Sequence, residues 1–428
     1  MATRPLIAEE TARAVIDPDA YADGVSADAA FRWLRANNPL GLAELEGYFP
    51  FWVVAKHADI LEVSRQNDLF HSGERSTTFN TREGDARVRQ MTGGSPHLLR
   101  TLVQMDAPDH AKYRLLTQSW FLPQNIRRLD ERIREIAREH VARMAELGGA
   151  CDFARDIAVT YPLRVIMEVL GVPAEDEPRM LRLTQELFGA SDPDLNRSRG
   201  APGEEANPLG DLQSVIADFF AYFKRMTDER KAAPRNDLAS VIANGRIDGA
   251  PISDFEAMSY YVIVATAGHD TTSSSTAGAI WGLAEAPAQL AKLKADPSLI
   301  PGLVEESIRW TTPVKHFMRT AMADYELRGR RIEAGDWLWL AYPSGNRDEE
   351  VFEDPDCFRV DRNPNRHLSF GYGAHLCLGQ HLARMEMRIL WEELIPRLQE
   401  LELAAKPTLA RASFVSGPKS LPIRYRLA

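Results

Sequence analysis

The chain has 428 residues, 44% hydrophobic and 26% charged, with a formal net charge of −10. This is ordinary globular composition, long enough for a large core, and the acidity disfavours a nucleic-acid partner because no basic cluster with interleaved aromatics offsets it. Three irregularly spaced cysteines, Cys151, Cys357 and Cys377, exclude a disulfide framework and fit a reducing compartment. No apolar run approaches the roughly 20 residues that span a bilayer. The longest candidate, 258–267, runs into Gly268, His269 and Asp270. Residues 1–18 carry no apolar signal-type run. The expectation is a soluble cytoplasmic protein without a membrane anchor.

In chain order, Phe51-Trp52-Val53-Val54 after Gly47 predicts one strand of a hairpin. The stretch 125–147 reads as a charged amphipathic helix. It opens after Pro123, carries an apolar stripe of Ile126, Leu129, Ile133, Ile136, Val141 and Met144, and ends at Gly148-Gly149. Helical pattern resumes over 156–170 and stops at Gly171 and Pro173. The block 190–210 mixes Pro, Gly, Ser, Asn and charge, a loop long enough to suggest a mobile lid. Another amphipathic helix covers 212–229. Asp336-Trp337-Leu338-Trp339-Leu340 alternates after Gly335 and predicts a strand. The fold class is therefore mainly α with a small interleaved β portion. No internal boundary is apparent, so 1–428 is expected to be a single domain.

The longest predicted helix, 253–285, opens on a capping box, Ser253-Asp254-Phe255-Glu256. Its middle reads Ala267-Gly268-His269-Asp270-Thr271-Thr272-Ser273-Ser274-Ser275-Thr276. These are poor helix formers whose hydroxyls can bond back to the preceding turn and bend the axis. Such conflict between propensity and fold is expected at functional sites.

Near the C-terminus, Phe370-Gly371-Tyr372-Gly373-Ala374-His375-Leu376-Cys377-Leu378-Gly379 frames a lone cysteine with glycines just before a helical stretch. Amide N–H groups and the dipole at a helix N-terminus favour a thiolate. A flat, buried metal cofactor would explain thiolate, histidine and glycines together. The alternatives are a structural cysteine in a glycine turn and a zinc site of His375, Cys377 and His381, which is one ligand short of the usual four. A dinucleotide loop would need a third glycine.

The pattern F-x-x-G-x-H-x-C-x-G resembles the haem-binding signature of the cytochrome P-450 family. Three further matches keep that family's order: A-G-x-D-T-T at 267–272, E-x-x-R at Glu306 and Arg309, and a meander over 352–362 with Pro355, Phe358 and Arg362. The resemblance implies the cytochrome P-450 fold, with a long central helix over a buried haem b, and a monooxygenase using O2. Cys377 would be the axial iron ligand, with Phe370 and Gly379 as cofactor contacts. His110 and Arg114, spaced i, i+4, would join Arg319, just ahead of a strand, and His375 in binding the propionates. Asp270 and Thr271 match the catalytic acid–alcohol pair; Glu306 and Arg309 match a structural pair. By helix phase His269 faces away from the haem.

Within the family the chain is similar to the bacterial terpineol-hydroxylase type, through 265–272, Pro313-Val314-Lys315 and Asn365-Arg366-His367-Leu368. That implies a small hydrophobic substrate: a monoterpenoid, alicyclic or small aromatic hydrocarbon. Pocket residues carried over are Phe79, Leu98, Leu102, Ile263, Thr266, Ala267, Phe317, Phe414 and Val415. Electrons would come from an iron–sulfur ferredoxin and its NAD(P)H-dependent reductase, since no reductase domain is fused. The ferredoxin would dock by Lys112, Arg114, Arg127, Arg128 and Arg366, and the enzyme is expected to be a monomer. Alternatives are a peroxide-driven hydroxylase of the same fold, a non-enzymatic haem sensor and a zinc-stabilised structural protein.

Overall fold

The computed structural model describes residues 5–188, 191–195 and 208–428. It is 54% helical with a smaller strand portion, the fold class the periodicities predict. Five strands form a mixed sheet in the order Leu40–Ala43, Phe51–Val54, Trp337–Ala341, His316–Ala321, Phe70–His71. The two strands read from sequence are neighbours in it, parallel, with Trp52 opposite Leu338. Their side chains alternate between two cores. Phe51, Val53, Trp337 and Trp339 pack with Val15, Phe31 and Leu34 of the N-terminal helices. Trp52, Val54, Leu338 and Leu340 pack with Ile60, Val63 and Tyr342. Arg319, expected ahead of a strand, lies inside His316–Ala321, opposite Leu338.

The largest core belongs to the helices and includes Tyr161, Phe219, Phe223, Tyr261, Ile280, Leu303 and Trp391. The expected helix 125–147 is three pieces: Pro123–Ile126, a tight turn at Arg127–Leu129, and Asp130–Glu146. The Asn125 amide bonds to the Ser119 carbonyl (2.5 Å) and tightens the first turn. The apolar stripe is buried except for half-buried Leu129. The stretch 156–170 begins as a wide turn, Ala154–Ala158, and continues as Thr160–Leu170. Gly171 ends it at φ +77°, a left-handed conformation natural to glycine. The helix expected over 212–229 runs further, Pro208–Ala232. The loop expected at 190–210 lies mostly outside the described residues.

The predicted continuous helix 253–285 is two helices, Asp254–Ala267 and Asp270–Glu285, interrupted at Gly268 and His269. The capping box is formed: Ser253 Oγ accepts from the Glu256 N–H (3.2 Å), and the Glu256 carboxylate accepts from the Ser253 N–H (2.8 Å). Around the break the hydroxyls bond backward, Thr266 to Val262 O (2.8 Å), Thr271 to Ala267 O (3.1 Å) and Ser273 to His269 O (2.9 Å). These bonds are the pattern that bends helices. Packing fixes the glycine: a Cβ on Gly268 would come 2.6 Å from Ile166 Cγ1.

Glu306 and Arg309 are completely buried on helix Ile300–Thr311. Arg309 makes a bidentate pair with Glu306 (2.7 and 2.8 Å) and donates to the Asn346 and Pro355 carbonyls (2.9 and 2.7 Å). Glu306 also accepts from the Arg359 N–H, from Arg362 and from Asn365 (2.9, 3.1 and 3.1 Å). The network clamps 355–365 to this helix and so fixes the chain that leads to Cys377.

Candidate active site around Cys377

The turn carrying Cys377 is set by its own backbone. The Gly371 N–H donates to Leu368 O (2.8 Å) and the Cys377 N–H to Phe370 O (2.8 Å). Gly371 and Gly373 have φ +68° and +72°, where a side chain would be strained; a Cβ at Gly373 would also strike the Ser64 carbonyl. Cys377 thus arrives just ahead of helix Gln380–Leu394. Its sulfur faces the Gly379 and Gln380 amides, Arg114 and Arg384. Burial pushes the thiol pKa up, and those amides and cations pull it down.

Cys377 lines a cavity. All four expected propionate partners line it: His110, Arg114, Arg319 and His375. Their rings and guanidiniums converge from three elements. His110 and Arg114 come from helix Asp109–Gln118, Arg319 from the sheet and His375 from the cysteine loop. The two imidazoles lie 4.4 Å apart, and His375 Nε2 meets Ser72 Oγ at 3.2 Å. Arg114 donates to Leu376 O (2.7 Å) and Arg319 to Met318 O (2.8 Å). Among the described residues neither arginine meets a carboxylate. Burial lowers the pKa of both histidines and both arginines; for His375, Arg319 and His110 add to it. His110 Nε2 is buried without a hydrogen-bond partner.

Of the expected pocket residues, Leu102, Ile263, Ala267 and Phe317 line this cavity and five do not. Phe79 instead stacks on Tyr48 and Trp337 (5.0 and 5.5 Å) in the N-terminal core. Leu98 sits on a segment that Arg100 ties to Ser259 (3.1 Å) and Glu256. Thr266 is 1% exposed, its hydroxyl spent on its own helix. Phe414 stands next to Phe317 (5.5 Å), and Val415 bridges Val314 through the backbone and lines a different cavity. Val264, Val314, Ile166 and Glu386 are wall residues that the sequence reading missed. A helical stripe over Tyr260, Ile263, Val264, Ala267, Thr271 and Ser275 would have found Val264.

Thr271 lines the cysteine-side cavity, and Asp270 lines a second one with Ser273, Ser274, Arg155, Asp194 and Lys419. Asp270 Oδ2 is buried without a partner, while Oδ1 lies 3.3 Å from His269 Nδ1. His269 is fully buried and turned from the first cavity, bonding Val159 O (2.8 Å) and Thr184 (3.2 Å). Among the described residues no group of three His, Cys, Asp or Glu could hold a metal ion. His381 lines a separate groove with Arg127 and Arg384, so the three-ligand zinc alternative fails on geometry. Of the docking candidates, Arg114 is committed to the cavity wall. Lys112 pairs with Asp248 (2.5 Å) and Arg128 covers Trp120 (4.0 Å). Among the described residues no helix is long and apolar enough to cross a membrane.

One cavity wall thus brings Cys377, two histidines and two arginines together with apolar side chains of the broken helix. The chain belongs to the cytochrome P450 family, whose model matches residues 74–421. It is 49% identical to cytochrome P450-terp of a Pseudomonas species over the full length of both chains. It is 33% identical to a steroid C26-monooxygenase of Mycolicibacterium smegmatis, covering 95% of this chain and 94% of that one. The crystal structure of CYP108D1 from Novosphingobium aromaticivorans superposes with a TM-score of 0.90 at 46% identity, over 99% of this chain and all of that one. The protein is accordingly a monooxygenase of this family. The family implies haem and O2. The residues present fit a haem: an orphaned buried imidazole nitrogen and two arginines without counter-charge suit its two carboxylates, and a cysteine backed by amides suits its iron.

Proposed function

We propose that this enzyme hydroxylates a small hydrophobic substrate, a monoterpenoid, alicyclic or small aromatic hydrocarbon, using O2 and electrons from an iron–sulfur ferredoxin. The observation that carries the reading is one cavity lined both by Cys377 with its two arginines and two histidines and by the apolar wall of Leu102, Ile263, Val264, Ala267, Val314 and Phe317. A wall of that kind orients a ligand by shape. The 49% identity to cytochrome P450-terp supports the monoterpenoid class.

Cys377 would ligate the haem iron, and His110, Arg114, Arg319 and His375 would hold the propionates. Bound there, the haem supplies activation of O2 for insertion into a C–H bond. The chain's residues supply position and protons. Thr271 places a hydroxyl over the cysteine-side cavity at the helix break. Asp270 lines the second cavity and has a buried carboxylate oxygen without a partner, and would pass protons from solvent toward that break. Apolar side chains exclude water from the reacting face.

The test is the spectrum of the reduced protein with carbon monoxide. A strongly red-shifted Soret band is the expected result, and a band typical of histidine-ligated haem would overturn the reading. Product formation that needs NAD(P)H, reductase and ferredoxin separates it from a peroxide-driven enzyme and from a sensor.

A further inference from the structure

His316 is 1% exposed on the strand whose next residue, Phe317, lines the cavity. Its ring has two bonds to two separate chain segments. Nδ1 lies 2.9 Å from Ser413 O and Nε2 lies 3.1 Å from the Phe79 N. The carbonyl can only accept and the amide can only donate, so the imidazole is neutral and carries its proton on Nδ1. Burial agrees, lowering its pKa to about 3. The ring is stacked on Trp339 at 3.6 Å and edges Phe414 at 5.5 Å.

Phe414 in turn edges Phe317 at 5.5 Å. The backbone repeats the linkage: Lys315 N donates to Phe414 O (2.8 Å) and Ser416 N to Pro313 O (3.0 Å). Pro313, Val314 and Phe317 are cavity wall. One imidazole therefore joins the 77–79 segment and the 410–416 loop to the back of that wall.

We infer that His316 is a specificity-determining positioning residue: a two-ended tie that fixes Phe414, and through it Phe317, and so sets the width of the substrate cavity on the sheet side. This rests on the proposed function of that cavity. A carboxamide at the end of the glutamine side chain can reach the position of one ring nitrogen but not of both, so His316→Gln can keep one of the two bonds. His316→Met fills the space and keeps neither.

The experiment compares these variants and Phe414→Leu as holoenzymes. Calorimetry gives affinities for a narrow probe, α-terpineol, and a wider one, 1-adamantanol; hydrogen exchange is read over 77–80 and 410–417. In His316→Met, exchange in both segments should rise roughly tenfold, the scale of one lost buried hydrogen bond. The ratio of the two affinities should shift roughly tenfold toward the wider probe, the scale of one methylene of fit. His316→Gln should fall between the parent and His316→Met in both, and Phe414→Leu should shift the ratio alone. Faster exchange with an unchanged ratio in His316→Met reduces the tie to a structural role and overturns the inference. If His316→Met yields no folded holoenzyme, an unchanged ratio in Phe414→Leu overturns it, and a shifted ratio there together with a smaller shift in the same direction in His316→Gln upholds it. Calorimetry does not depend on the haem spectrum, so failure here is distinct from failure of the haem-thiolate reading.

Discussion

Asp270 and Thr271 are consecutive, yet they face different cavities: Thr271 the one over Cys377, Asp270 the polar one beside Lys419 and Ser274. The helix break at Gly268 and His269 puts this pair at the start of a new helix. Thr271 thus belongs to the wall of the cysteine-side cavity and the neighbouring carboxylate to the wall of the second one. The division of labour proposed above depends on this placement.

Cys377 is the only cysteine of the three in the cavity wall. Burial lifts the Cys151 thiol to about 12, so it is protonated and inert at neutral pH, and Cys357 is exposed in the meander. Cys377→Ala should abolish the thiolate-type carbon monoxide band, while Cys151→Ser and Cys357→Ser keep it. A surviving band in Cys377→Ala would remove this residue as ligand.

The Glu306–Arg309 pair should matter for stability far more than a surface i, i+3 pair. Both side chains are 0% exposed, and removing one partner strands a buried charge at a cost of about 3–5 kcal/mol. Arg309→Met should lower the urea midpoint accordingly and release the 355–365 segment to hydrogen exchange. A change below about 1 kcal/mol, the surface range, would show that the network adds nothing.

His316 should make stability depend on pH. Its folded pKa is lowered to about 3, against about 6.5 when unfolded. The stability it contributes is full above about pH 6.5 and is lost as pH falls toward 3, because the unfolded state then binds one more proton. One such group gives about 1.4 kcal/mol per pH unit, so about 2 kcal/mol between pH 7 and 5. His316→Gln should unfold in urea with a shallower pH dependence by that amount. Equal slopes for both proteins would contradict a neutral buried imidazole.

Ferredoxin docking on the cysteine side should weaken steeply with salt, since exposed charges are screened beyond roughly 10 Å at 0.1 M. Exposed Arg127 and Arg128 would provide positive charge there, despite the net charge of −10, whereas the neighbouring Arg384 and Arg388 are paired with Glu305 and with Asp130 and Glu392. Arg128→Glu should slow reduction by ferredoxin at low salt and not at high salt. Reduction insensitive to both would place the partner elsewhere.

Much of this architecture was legible in the sequence because it follows periodicity or fixed spacing. The strands at Phe51 and Trp337 alternate, and the Ser253 capping box is local chemistry. His110, Arg114, Arg319 and His375, named from a family pattern, all reach one cavity. The misses have one cause: a pocket wall depends on which side of a residue tertiary packing fills. Phe79 looks like a pocket aromatic until Tyr48, Phe51, Trp337 and Trp339 surround it. The helix break was only half legible, because hydroxyl content announces a bend and the contact of Gly268 with Ile166 locates it.

Thr271 and Asp270 should fail differently. Thr271→Ala removes the hydroxyl over the cysteine-side cavity and leaves the apolar wall intact, so substrate should bind with little change. NAD(P)H should still be consumed when the partners are present, but water now reaches the reacting face. Electrons should then appear as hydrogen peroxide and not as hydroxylated product. Asp270→Asn keeps shape and hydrogen bonding while removing the group that carries a proton, so NAD(P)H consumption itself should slow by about 10²-fold or more, the scale of a positioned acid–base group. His269 limits the alternatives: its ring is engaged by Val159 O and Thr184 and is not free to substitute for the carboxylate. The measurement is product formed per NAD(P)H consumed, with both rates, for the two variants and the parent. Wild-type coupling in Thr271→Ala would assign the role to another hydroxyl on the same wall, Thr272 or Ser275. An unslowed Asp270→Asn would mean that protons do not come through the second cavity.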